Sequence, residues 1–321
     1  MSDLPDNETP DVTLDFTDSL IGREFKGAYR VADKIGEGGF GSVYRALQMV
    51  VNREVAIKVL RPERARDERL RDLLTKRFKR EAVAMSKLNH PNTVRLIDFG
   101  TSDDGMLFLV LELLRGRELE KVIRTEAPLA PARAARVAQQ ICKSLGEAHQ
   151  QGIIHRDLKP ANIFLCEVEG DPDFVKVMDF GIARLVDPDE GAGQITRTGM
   201  TQGTPAYMAP EQAMAKETTA ASDLYAVGCM LYEMLTGCPV FTADSAVAVG
   251  LAHVRQEPPR ISLPGLKPEV VEQWDALLQR LLVKSPAERP QTTQEVVDEL
   301  KKLEKLGGEI DRPDAAAATV A

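Results

Sequence analysis

Gly36-Glu37-Gly38-Gly39-Phe40-Gly41, running straight into Ser42-Val43-Tyr44-Arg45-Ala46-Leu47, is the stretch on which the fold turns. Its glycines have the G-x-G-x-x-G spacing, which in a dinucleotide-binding unit follows a strand and opens a helix. Here the residues after the glycines alternate apolar and polar, so the glycines join two strands. Such a hairpin lets backbone N–H groups approach a phosphate closely, because no Cβ stands in the way. A plain glycine turn with no ligand fits the same residues equally well. No G-K-[ST] sequence occurs anywhere in the chain, which excludes a Walker loop.

Outward from this hairpin the same texture continues. YRVADKI precedes it, and EVAIKVL, NTVRLIDFG and LFLVLELL follow, each with period-two apolar spacing and each bounded by Gly, Asp or Asn. One helical pattern interrupts them at about 67–88. From about residue 118 helical spacing takes over, as in the stripe Val137, Ile141, Leu145 and Ala148, which Gly152 ends. Residues 222–237 (SDLYAVGCMLYEMLTG) are apolar on nearly every face and too short to span a bilayer, so they read as a buried helix with Asp223 at its start. The expected class is α+β and bilobal. A small antiparallel-sheet lobe with one helix occupies 24–113, and a larger, mainly helical lobe occupies 114–306. Their linker lies near Glu112–Gly116, and the acidic 1–23 and alanine-rich 307–321 segments read as disordered.

Composition narrows the class without reaching the chemistry. Of 321 residues, 43% are apolar, a globular share. The acidic N-terminus lacks a signal-peptide pattern, and no apolar run approaches the ~20 residues of a membrane helix. Four scattered cysteines without a C-x-x-C pair fit reduced thiols better than disulfides or structural zinc. With 41 basic and 49 acidic residues the net charge is −8, which argues against nucleic-acid binding. A cytoplasmic protein, or the cytoplasmic domain of a longer membrane protein, fits these features.

Three clusters carry candidate chemistry. Lys58 shares one strand face with Ala56 and Leu60, so it is expected to be partly desolvated and to want an anion; an exposed edge-strand lysine is the alternative. Glu81 lies three residues after Phe78 and four before Met85 on the predicted helix, so it faces inward and is expected to pair with Lys58. His155-Arg156-Asp157-Leu158-Lys159-Pro160-Ala161-Asn162 offers a carboxylate for an incoming hydroxyl, a lysine for a moving phosphoryl group and an amide oxygen for Mg²⁺. Asp179-Phe180-Gly181 follows the strand-like run Phe174–Met178 and offers a second oxygen ligand. A hard cation carrying phosphates needs few protein oxygens, and Asn162 with Asp179 suffices.

In this order, followed by Ala209-Pro210-Glu211, these motifs resemble those of the eukaryotic-like (Hanks-type) serine/threonine protein kinases, in particular their bacterial branch, over about 24–306. The resemblance implies a kinase that uses ATP and Mg²⁺ to phosphorylate Ser or Thr hydroxyls of protein substrates. Ile35, Gly36, Glu37, Gly38, Gly39, Phe40, Gly41, Ser42 and Val43 would then cover the ATP phosphates and base. Ala56 and Val43 above, Phe164 below, the gatekeeper Leu111 and the backbone of Glu112 and Leu114 would hold adenine. Lys58, paired with Glu81, would hold phosphates, Asp157 would orient the acceptor hydroxyl, Lys159 would contact the γ-phosphate, and Asn162 and Asp179 would hold Mg²⁺. Met85, Leu96, His155 and Phe180 match positions that stack through an active kinase core. Asp223 matches the anchor of the His-Arg-Asp backbone, and Glu211 and Arg289 match a buried ion pair.

Lys159-Pro160 and Gly203-Thr204 are of the serine/threonine type, with Thr204 as a substrate-side residue. Phosphorylation of Thr196 or Thr198 in the 182–208 loop, pairing with Arg156 and helped by Arg184, is the expected activating event. A pseudokinase scaffold and a small-molecule kinase are the competing readings. All the catalytic positions are present, against the first, and GTPAYMAPEQ argues against the second. A homodimer through the small lobes is the assembly the resemblance implies.

Overall fold

The computed structural model describes residues 20–38, 41–60, 68–168, 170–180 and 205–306, and for 68–74 the backbone alone. Strands β1 (Glu24–Phe25), β2 (Tyr29–Gly38), β3 (Gly41–Gln48), β4 (Arg53–Leu60), β5 (Leu96–Thr101) and β6 (Leu107–Glu112) form one sheet. Its order is β1-β2-β3-β4-β6-β5, antiparallel at every pairing. The glycine stretch joins β2 to β3 as a hairpin, with Gly36 opposite Val43 and Gly38 opposite Gly41. At Gly41, φ is +140° and an added Cβ would lie 2.0 Å from the Val59 carbonyl oxygen of β4. Only glycine allows that approach.

β4 is an interior strand, with Lys58 opposite Val43 on one side and Leu109 on the other. Its two faces serve different cores. Val55, Ile57 and Val59 pack with Phe25, Tyr44 and Phe108 above the sheet. Ala56 and Leu60 face the larger core, which includes Phe78, Ala82 and Met85 of α1 (Glu68–Met85). Lys58 shares that second face and is 7% exposed, so the edge-strand alternative is wrong: strand order, invisible in the local pattern, sets its burial.

The helical lobe contains α2 (Leu119–Glu126), α3 (Pro131–Gln150), α4 (Ala220–Thr236), α5 (Ala246–Arg255), α6 (Pro268–Leu281) and α7 (Thr293–Leu306). The α3 stripe Val137, Ile141, Leu145 and Ala148 is fully buried. α4 is buried on all sides over most of its length, as its all-round apolar sequence requires. Ser222 Oγ accepts from the Thr219 N–H at its start, and Gly237 closes it at φ +77°.

The lobe also holds a small antiparallel sheet, β7 (Gly116–Glu118), β8 (Ile163–Val168) and β9 (Asp171–Val177), in that order. The sequence reveals only part of β9, because Gly116–Glu118 carries no apolar alternation to mark a strand. This sheet joins the lobes: the Val94 N–H donates to the Val177 carbonyl and the Val177 N–H to the Asn92 carbonyl. Among the described residues no helix is long and apolar enough to cross a membrane. Gly39, Phe40, Gly181, Arg184, Thr196, Thr198 and Thr204, together with most of 1–23 and all of 307–321, lie outside the described residues.

Candidate active site

The segment 155–162 is held from below by α4. Asp223, 1% exposed in the first turn of that helix, accepts the His155 N–H through Oδ2 at 2.9 Å and the Arg156 N–H through Oδ1 at 3.0 Å. The same Oδ2 meets His149 Nε2 of α3 at 2.8 Å. A buried carboxylate is costly without partners, and here both oxygens are used. His155 is fully buried, bonds the Met178 carbonyl through Nε2 at 2.7 Å and meets the Phe180 ring at 4.8 Å between centroids, tilted by 55°. These two contacts tie Met178 and Phe180 to the 155–162 segment. Met85, Leu96 and Phe180 lie in or against the same apolar core.

Asp157 then stands at the cleft with defined neighbours. Lys159 Nζ donates to its Oδ2 at 2.8 Å, and Asn162 Nδ2 donates to its carbonyl at 2.7 Å. The Asn162 carbonyl accepts the Met178 N–H at 2.9 Å, one residue before Asp179. Asn162 Oδ1 and Asp179 Oδ1 have no partner among the described residues, so two oxygens are available to a hard cation. No cluster of three acidic, His or Cys ligands exists among the described residues. The donor set therefore fits Mg²⁺ delivered with phosphates and completed by water, and does not fit a protein-caged metal.

Lys58 reaches this group from β4, but its partner corrects the sequence reading. Its Nζ donates to Asp179 Oδ2 at 2.7 Å, whereas Glu81 Oε1 accepts from Arg80 at 3.1 Å. Asp179 sits at φ +61°, close to the cleft side of β4, and supplies the carboxylate that the buried lysine requires. Glu81 does face inward, with a side chain 14% exposed, yet the adjacent guanidinium satisfies it locally.

The remaining expected residues that the structure describes differ in burial. Ala56 and Leu111 are buried, Val43 and Leu114 pack against the main core, Phe164 is half-buried, and Ile35 is 47% exposed on the outer hairpin. The Glu112 N–H is taken by the Arg95 carbonyl at 3.1 Å, so its amide is not a free donor toward a ligand edge.

Three features escaped the sequence reading. His149 joins the Asp223 anchor, Lys176 of β9 binds the linker residue Glu112 at 2.7 Å, and Gln212 reaches the Arg156 carbonyl. Each is a contact between segments far apart in the chain, with no local motif to mark it.

Glu211 and Arg289 form a doubly bonded pair at 2.7 and 2.8 Å, and Ser222 donates to Glu211 as well. Burial alone would raise the Glu211 pKa, but hydrogen bonds from Arg289 and Ser222 outweigh it and hold the carboxyl below its ordinary value.

Comparison with known proteins agrees with this geometry. The protein kinase domain model matches residues 29–300. Serine/threonine-protein kinase pkn3 of Myxococcus xanthus is 41% identical over 297 residues, covering 92% of this chain and 53% of that protein. Serine/threonine-protein kinase PknB of Mycobacterium tuberculosis is 40% identical over 280 residues, covering 86% of this chain and 42% of that protein. The chain thus spans about half the length of the curated relatives it matches. The crystal structure of the Mycobacterium tuberculosis PknI kinase domain superposes with a TM-score of 0.65 at 25% identity, covering 88% of this chain and 98% of that one. This chain belongs to the protein kinase domain family, and the relatives named above are bacterial serine/threonine-protein kinases.

Proposed function

We propose that this chain transfers the γ-phosphoryl group of ATP to Ser or Thr hydroxyls of protein substrates, in the cytoplasm, where ATP is available. The observation that carries the reading is the convergence, on one cleft, of Asp157, Lys159, Asn162, Asp179 and Lys58. In the transfer, the acceptor oxygen bonds to the γ-phosphorus as the β–γ bridging P–O bond breaks, and ADP leaves with that oxygen. Asp157 orients the hydroxyl and takes its proton, while Lys159 offsets charge on the moving group. Mg²⁺, bound through Asn162 and Asp179, would neutralise charge shared between the phosphates. Lys58 would then hold phosphate oxygens, with Asp179 turned to the metal and Glu81 the inward carboxylate of α1 able to take its place on the lysine. Val43, Ala56, Leu111, Leu114 and Phe164 would enclose the base.

Arg156 beside Asp157 supports phosphorylation at Thr196 or Thr198 as the activating event. The test is autophosphorylation with ATP and Mg²⁺, followed by phosphoamino-acid analysis, for wild type and Asp157→Asn. Phosphoserine or phosphothreonine in wild type alone is the expected result. Equal incorporation in both, or none in wild type, would reject the reading.

A further inference from the structure

Arg156 holds a backbone conformation that non-glycine residues rarely adopt, φ +69°, immediately before Asp157. A strained residue persists only where its surroundings over-determine it, and both of its peptide groups are tied. Its N–H goes to Asp223 Oδ1 at 3.0 Å. Its carbonyl accepts from Gln212 Nε2 at 2.7 Å. That carbonyl and the Asp157 N–H belong to one rigid peptide plane, so fixing the oxygen fixes the plane from which Asp157 departs.

Gln212 is itself held at its other end. Its Oε1 accepts the Ala209 N–H at 3.0 Å, at the start of the helical turn Pro210–Ala213. The two contacts demand opposite chemistry, an acceptor toward Ala209 and a donor toward Arg156. A side-chain amide offers both at once, and this fixes which way the amide points. A carboxylate cannot donate, and a thioether does neither usefully. The turn carrying Gln212 is anchored by its neighbour Glu211, doubly bonded to buried Arg289.

We infer that Gln212 is a positioning residue for phosphotransfer: it holds the Arg156 peptide in its left-handed conformation and so sets where Asp157 points. This rests on the kinase reading above. It also links the segment 205–213 to the hydroxyl-orienting carboxylate. A misplacement of a reacting group by about 1 Å can cost up to ~10²-fold in rate.

The test uses Gln212→Glu and Gln212→Met in the full chain. Gln212→Glu keeps the acceptor toward Ala209 and removes the donor toward Arg156. Gln212→Met removes both without adding charge, which guards against a misfolded first variant. The expected result is a kcat lowered about tenfold or more in each, with KM for ATP within about twofold of wild type and an unchanged melting midpoint. Amide hydrogen exchange in the peptide spanning 155–158 should rise in both variants. Wild-type kcat and exchange in both variants would overturn the inference. So would a parallel loss of kcat, ATP affinity and melting midpoint, which is the signature of a merely structural role. Absence of phosphotransfer in wild type would sink the kinase reading instead, and the exchange measurement would then decide the role of Gln212 by itself.

Discussion

Two buried ion pairs of this molecule are built to opposite ends. Glu211 and Arg289 lie wholly inside the helical lobe, with side chains 4% and 0% exposed, joined through both carboxylate oxygens. Arg289 also donates to the carbonyls of Ala221, Val283 and Lys284. Lys58 and Asp179 meet through one Nζ–Oδ2 contact across the cleft, with Asp179 23% exposed and its second oxygen unpartnered among the described residues. A pair whose donors and acceptors are all used can hold segments together but has nothing left to offer a ligand. A pair with spare acceptor capacity at the mouth of a cleft can be exchanged for phosphate and metal. The first pair is architecture, and the second is a site between tasks.

Breaking the two pairs should therefore separate stability from activity. Arg289→Met strands a carboxylate in the core and is expected to cost about 3–5 kcal/mol, lowering the melting midpoint by about 10 °C. Thermal unfolding followed by circular dichroism measures this, and a shift below about 2 °C would erase the distinction. Lys58→Met should do the reverse. Phosphotransfer falls by about 10²–10³-fold, while the midpoint moves by no more than about 2 °C, because solvent reaches the abandoned carboxylate of Asp179.

His253 sharpens the comparison, because among the described residues no carboxylate bonds its ring. Its ring is buried, bonded to the Tyr225 hydroxyl at 2.9 Å and set edge-on to Phe241. Burial, followed by the nearby Lys284 ammonium, pushes its pKa down to about 4 from 6.5. Between those values the unfolded chain binds the proton and the folded chain does not. The neutral ring's contribution is thus full above pH 6.5 and is lost progressively as pH falls toward 4, by about 3 kcal/mol at most. Wild type should lose more stability over this range than His253→Gln, as read by melting midpoints against pH. Equal slopes would mean that the ring already carries a proton in the fold.

The smallest effect is expected at Arg23–Asp104, doubly bonded at 2.8 and 2.7 Å but exposed. The hydrogen bond from Arg23 holds the Asp104 carboxyl down at about 2. Solvent screening limits the pair nevertheless, so Arg23→Ala should change stability by less than about 1 kcal/mol, less still at high salt. Urea unfolding at two salt concentrations measures both.

Much of this arrangement is legible from residue order, and the exceptions share a cause. The strand after the glycines, the shared face of Ala56, Lys58 and Leu60, the all-round apolar α4 and the inward tilt of Glu81 follow from periods of two and 3.6. Those patterns report which way a side chain points. They carry no information on which of several possible partners it meets. Glu81 points inward as its spacing requires, and Arg80 still takes it while Asp179 takes Lys58.

By itself, then, the sequence determined the α+β bilobal class, the family and the direction in which side chains such as Lys58 and Glu81 point. Only the tertiary structure decided the pairing: Lys58 with Asp179, Asp223 with two amides and His149, Gln212 with Arg156. Facing is fixed by local backbone geometry that each residue shares with its immediate neighbours. Pairing depends on the approach of segments tens of residues apart, where burial favours the partner that satisfies a charge or an amide.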